Sequence, residues 1–195
     1  MRIPLCSLFA LCLFACGPKL PPRYVVESDV GSYKFRRYQQ VLDVEIGIEG
    51  NPAVGHTATY VRGGKTIQVV PVFVTVYQDA RGLSETVRQS LRAMSGYDFD
   101  IAKLAGEYVF RMRAAGADHW VLWVSGRHLL KLGAPEGGTE VPEELLELYL
   151  DKYPSDLDEK GKAREGKASA GPAAGAAASG AGQPPPPAAA EAPEM

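Results

Sequence analysis

The side chains best suited to chemistry are few and scattered. There are three histidines, His56, His119 and His128. Histidine zinc sites favour pairs three to five residues apart, and no pair here has that spacing. His119 and His128 become cross-strand neighbours if the chain turns at Ser125-Gly126. Gly64-Lys65-Thr66 copies the end of a phosphate-binding loop. That loop needs a glycine five residues before Gly64, where Thr59 stands, and a helix after the lysine. The residues that follow, Ile67 to Val70, are strand formers, so a hairpin turn is the reading adopted. Asp43, Glu45 and Glu49 fall on one face of an alternating segment. Carboxylates so placed can hold calcium or transfer protons, and a wet strand face accounts for the same pattern. No Ser, His and acid set carries a G-x-S-x-G elbow. Trp120 and Trp123 are an odd number of residues apart, which puts them on opposite faces of one strand. An exposed indole can stack on a sugar or pack on a partner. Trp120, Trp123, His119 and His128 are therefore the candidate binding surface, with no catalytic residue, metal or cofactor expected.

The elements that would position these residues follow from periodicity. Val41 to Glu49 (VLDVEIGIE) alternates cleanly and predicts a first strand with one buried face. His56 to Arg62 predicts a second, closed by a two-residue turn at Gly63-Gly64. Thr66 to Tyr77 is β-branched on both faces and predicts a deeply buried third strand, with a bulge or an edge at Pro71. Leu83, Val87, Leu91 and Met94 recur at helical spacing, with Ser84 as N-cap and Gly96 as C-terminal stop. Four short strands follow, near Asp98 to Leu104, Glu107 to Arg113, Asp118 to Ser125 and Arg127 to Leu132. Their short turns force antiparallel pairing. Pro142 opens a last helix with Glu143 and Glu144 in its first turn. Leu145, Leu146, Tyr149, Leu150 and Tyr153 form its apolar stripe, and Pro154 ends it. The order βββ-α-ββββ-α predicts an α+β fold, with two helices on an antiparallel sheet of about seven strands. At the level of element order it resembles the PsbP-type domains that some bacterial lipoproteins carry, which implies a fold and no activity.

The N-terminus carries a different signal. Met1-Arg2 is a positive start, and Ile3 to Leu13 is an apolar run too short to span a bilayer. Leu13-Phe14-Ala15-Cys16 then resembles the lipobox of bacterial lipoproteins. The resemblance implies cleavage before Cys16 and a diacylglyceryl thioether on its sulfur. It also implies a lipid-anchored place in the bacterial cell envelope. Gly17, standing where an aspartate would imply inner-membrane retention, leans toward the outer membrane. All three cysteines, Cys6, Cys12 and Cys16, lie in this segment. The mature domain therefore has no disulfide and no thiolate metal site.

Composition bounds the rest. Loss of Arg2 with the signal leaves 20 basic and 23 acidic residues, a formal charge of −3. That balance gives no general attraction to nucleic acid. Of the 28 residues from Ala168 to Met195, 22 are Ala, Gly or Pro. Such a segment buries too little apolar surface to offset the entropy of ordering it. The expected layout is a signal over 1–15, a lipidated Pro-rich tether over 16–31, a globular domain over 32–157 and a disordered tail over 158–195. Two functions fit. One is a non-catalytic domain making protein or cell-wall contacts, with an envelope protein or peptidoglycan as partner. The other is a lipoprotein that binds a small molecule or lipid in an apolar cleft between sheet and helices.

The lipobox makes a direct prediction. Intact mass of the membrane-extracted protein should match residues 16–195 plus acyl chains. Cys16→Ser should give an unprocessed or soluble product. A wild-type mass without acyl chains rejects the assignment.

Overall fold

A computed structural model describes residues 23–164, except residues 43, 115–118, 136, 137 and 139. Residues 1–22, Cys16 and the expected signal among them, and residues 165–195 lie outside the described residues. Seven strands form one antiparallel sheet: β1 (Lys34–Val41), β2 (Ala53–Arg62), β3 (Gln68–Tyr77), β4 (Tyr97–Leu104), β5 (Glu107–Ala114), β6 (His119–Ser125) and β7 (His128–Gly133). Two helices accompany them, α1 (Leu83–Ala93) between β3 and β4, and α2 (Glu143–Lys152) after β7. The spatial order is β1-β2-β3-β7-β6-β5-β4. The fold is α+β, with the number and order of elements that periodicity predicts.

The order explains the long middle connection. After β3 the chain must pass β7, β6 and β5 to begin β4 at the far edge, and α1 makes that crossing. A meander then brings β7 back beside β3, in register from Val72↔Leu132 to Val76↔His128. The helices lie on opposite faces. Arg92 of α1 sits over the Phe99 ring, and Trp123 Nε1 donates to the Tyr153 carbonyl just past α2 at 2.7 Å. Phe99 pairs with Met112, and Met112 with Trp120, so Phe99 shares a face with Trp120 and not with Trp123.

The first strand is not where alternation predicts it. Val41 ends β1, and the described residues from Leu42 to Glu49 form no ladder. This stretch lies across the α1 face of the sheet. Ile46 is buried there, its carbonyl accepts from Tyr77 Oη at 2.7 Å, and Glu45 pairs with Lys131. Alternation persists because one side of the segment rests on the sheet, not because its backbone joins one. The true edge strand, KFRRYQQV, is exposed along nearly all its length. Its charges protect an open edge from pairing with other chains, and they also hide it from a search for buried stripes.

Smaller corrections share one cause, local geometry set by neighbours. Gly63-Gly64 is not a two-residue turn: the connection runs from 63 to 67, since the β2–β3 pairing ends at Arg62↔Gln68. Pro71 makes no bulge and pairs with Thr59. The ladder to β7 starts one residue later, so β3 is effectively an edge at Pro71, where a missing N–H costs nothing. Ser84 is buried inside the first turn of α1, and the N-cap is Gly82 in the left-handed region (φ 68°). Gly96 does follow the helix with positive φ (86°).

Packed structure also extends beyond 32–157. Residues 24–33 form a strap along α2 and β2 rather than a free tether. Val25 is 1 % exposed, Tyr153 Oη donates to the Tyr24 carbonyl at 2.8 Å, and Lys152 Nζ donates to the Arg23 carbonyl at 2.8 Å. Beyond Tyr153 the chain wraps the end of the sheet. Asp156 N donates to the Val124 carbonyl, and Ser155 Oγ to the Tyr108 carbonyl at 2.6 Å. A turn at 158–163 then lies on the α1 face, where a Cβ on Gly161 would stand 2.7 Å from Phe110.

The stripe on α2 faces the sheet as predicted. Leu145, Leu146, Tyr149, Leu150 and Tyr153 are all buried, whereas Glu147 is exposed. An isolated helix of ten residues is marginal in water, so this burial holds it. Leu150→Ala should therefore cost about 2–5 kcal/mol in a urea titration. Glu147→Ala should change stability by less than about 0.5 kcal/mol. The reverse order would mean that the stripe faces outward.

Candidate functional site

A sheet of seven strands is roughly 30 Å wide at the usual strand spacing, and one helix about 10–12 Å across covers only the middle of it. On the α2 face one flank is filled by the strap. The other flank, over β4, β5 and β6, is an open cleft of about 460 Å³. Its sheet wall is Arg111, Arg113, His119 and Val121; its helix wall is Glu140, Val141, Glu143 and Leu146.

The register explains the sheet wall. Asp100 pairs with Arg111, Asp98 with Arg113, and Arg113 with His119. Side chains directly across a ladder share a face, so these groups all stand on the α2 side. Asp100 collects both guanidinium groups. Arg111 donates through Nε (2.9 Å) and Nη2 (2.5 Å), and Arg113 through Nη2 at 3.1 Å. The hydrogen bonds from Arg111 hold the Asp100 carboxyl below its ordinary range and raise the Arg111 guanidinium above its own. One edge of Arg113 is left over. Among the described residues, two buried side-chain nitrogens lack a hydrogen-bond partner, Arg113 Nε and His119 Nδ1. They belong to cross-strand partners that line the same cleft.

The other candidates resolve separately. Trp123 is fully buried under the end of α2. Trp120 is half-buried on the α1 face, its ring lying across Gly133, where a Cβ would stand 2.7 Å from it. Lys131 Nζ sits 3.9 Å from the centre of that ring, so the indole is partly covered. His119 does not meet His128. Although β6 and β7 pair, His128 is opposite Ser125 and His119 lies near the other end of the strand. Glu45 is tied to Lys131, Glu49 is exposed, and Asp43 lies outside the described residues. Gly64-Lys65-Thr66 sits in the β2–β3 connection with a strand after it. Among the described residues, no group of three or more His, Cys, Asp or Glu could hold a metal ion. Arg111 and Arg113 escaped the sequence reading, although R-M-R opposite D-F-D on adjacent strands is a visible signal once the hairpin register is known.

His128 instead joins His56 in an aromatic cluster beneath the strap. The Tyr24 ring stacks on His56 at 4.3 Å and lies 6.1 Å from His128, and Tyr153 is 5.1 Å from His128. Tyr38 Oη lies 2.8 Å from His56 Nδ1, and His128 Nδ1 is 3.1 Å from the Ser125 carbonyl.

No family model, no curated protein and no solved structure matches this chain. The reading of the site therefore rests on its own geometry.

Burial lowers the basicity of both His56 and His128 below the ordinary imidazole value of 6.5. A lowered folded pKa means that folding favours the neutral ring. This stabilisation is complete above about pH 6.5 and is lost as the pH falls toward the folded-state values. Urea midpoints should therefore drop between about pH 7.5 and 5.5. The double variant His56→Gln, His128→Gln should flatten that slope. A wild-type midpoint that rises on acidification would contradict this account.

Proposed function

We propose that this chain is a lipid-anchored envelope protein whose α+β domain is non-catalytic and holds a small polar molecule in the cleft beside α2. One observation carries the reading: Arg113 and His119, each with a buried nitrogen that lacks a partner, are both lining residues of that cleft. A buried polar group without a partner costs about 1–3 kcal/mol, and a bound molecule or ion is one arrangement that offsets such a cost. The volume supports the same reading, since small-molecule sites span roughly 300–1,000 Å³. The walls are as much charged as apolar, which favours a polar ligand over a lipid. The anchor rests on the lipobox alone.

A contact role for the α1 face is the second reading. It draws on Val69, 44 % exposed on the same sheet as the half-buried Trp120, and on Ile67, 69 % exposed in the adjoining β2–β3 connection. Lys131 over the indole weakens it.

The test is ligand-detected NMR on the mature protein against pools of small polar metabolites, repeated with Glu143→Trp. Glu143 is exposed at the cleft wall, so the indole should occlude the cleft without disturbing the fold. Binders lost in the variant, with an unchanged melting temperature, support the reading. No binder, or binders that the variant retains, would overturn it.

A further inference from the structure

Arginines line the sheet wall of the cleft and glutamates its helix wall, and the two sets do not meet. On the sheet wall, Arg111 and Arg113 stand with Asp100, which pairs with both, and with Asp98 opposite Arg113; among them the Arg113 side chain lines the cleft and is 42 % exposed, beside His119. On the helix wall stand Glu140 and Glu143, both exposed. Neither makes a hydrogen bond or ion pair with any described residue. Glu144, their neighbour, shows the contrast: it is turned toward the strap and accepts from Ser32 N and Oγ. Among the described residues no Arg–Glu ion pair forms across this space. Cations and carboxylates are thus held facing one another across about 460 Å³.

Such an arrangement discriminates between ligands by charge. A simple anion would meet the guanidinium and imidazole but be repelled by the two glutamates. A simple cation would meet the glutamates but be repelled by Arg113. A molecule with a carboxylate at one end and an ammonium at the other satisfies both walls. Hydrogen bonds to charged groups contribute about 1.5–3 kcal/mol each, more than neutral ones, so both ends count. The backbone of α2 adds to the preference in a limited way. Its N-cap is Pro142, with no side-chain cap, so the first-turn amides carry no side-chain acceptor; the glutamates beside them nevertheless keep the helix wall acidic.

We infer that the cleft beside α2 takes a dipolar ligand of the amino-acid or short-peptide class, its carboxylate on Arg113 and His119 and its ammonium on Glu140 and Glu143. This rests on the proposed binding role of the cleft and specifies its chemistry.

The probes are glycine, Ala-Ala and Ala-Ala-Ala, each in three forms: free, N-acetylated and C-amidated. Binding to the mature protein is followed by calorimetry and by the NMR signals of the cleft residues. The best free form should bind at least about tenfold more tightly than either capped form. The double variant Glu140→Gln, Glu143→Gln should abolish the difference between the free and N-acetylated forms. His119→Gln with Arg113→Gln should abolish that between the free and amidated forms. A residue with a merely structural role would weaken all three forms together and leave the ratios unchanged. Equal binding of free and capped forms overturns the dipolar assignment, as does absence of binding at every length. If Glu143→Trp still removes some other binder, the cleft remains a binding site and only the dipolar assignment fails.

Discussion

Three groups from three parts of the chain close a small ring of hydrogen bonds on which the α2 face depends. Tyr60 Oη on β2 donates to the Val26 carbonyl of the strap. Tyr149 Oη on α2 lies 3.0 Å from Tyr60 Oη and accepts from Val26 N at 3.1 Å. A buried hydroxyl without a partner costs free energy, whereas one in a closed ring does not. Burial pushes the Tyr60 and Tyr149 phenols upward, so neither ionises near neutral pH. Because the ring joins strap, helix and sheet, none of the three can shift without breaking bonds to the other two. Trp123 and Tyr153 continue the same seam at the end of α2.

This pinning decides where space is left. The helix is tied along the β2 side by the strap, and its C-terminal end is tied to β6. Nothing among the described residues fills the corresponding flank over β4 and β5. The cleft is thus a consequence of covering a wide sheet with one helix and one strap. Its charged floor is a consequence of register, since the pairing of β4 with β5 puts Asp98, Asp100, Arg111 and Arg113 on one face.

The opposite face is covered differently. There α1, the segment around Ile46 and the turn at 158–163 each cover part of the sheet, and none of them covers Val69 or Ile67. Both open edges, β1 and β4, carry charges: Lys34, Arg36 and Arg37 on one, and Asp98, Asp100 and Lys103 on the other. Charged edges resist pairing with other chains. Tyr77 shows how closely the middle of this face is sealed. Its phenol is held by the Ile46 carbonyl, and burial pushes it up to about 12.

Much of this was legible in the residues themselves. Strong local periodicity determined α1, α2, the β4–β7 meander and the burial of the Leu145 to Tyr153 stripe, because side-chain direction in a regular element depends only on local backbone geometry. The opposite placement of Trp120 and Trp123 follows from the same rule. Tertiary structure alone decided the rest. The exposed β1 has no buried stripe to announce it. Leu42 to Glu49 alternates like a strand yet lies on a sheet instead of in one, and the strap's burial depends on Tyr60 and Tyr149, which are distant in sequence. His119 and His128 parted because register, not turn proximity, sets which residues face each other. Arg113 and His119 met for the same reason. The cleft needed all of these at once, since a space between elements is a property of how they pack and no single segment encodes it.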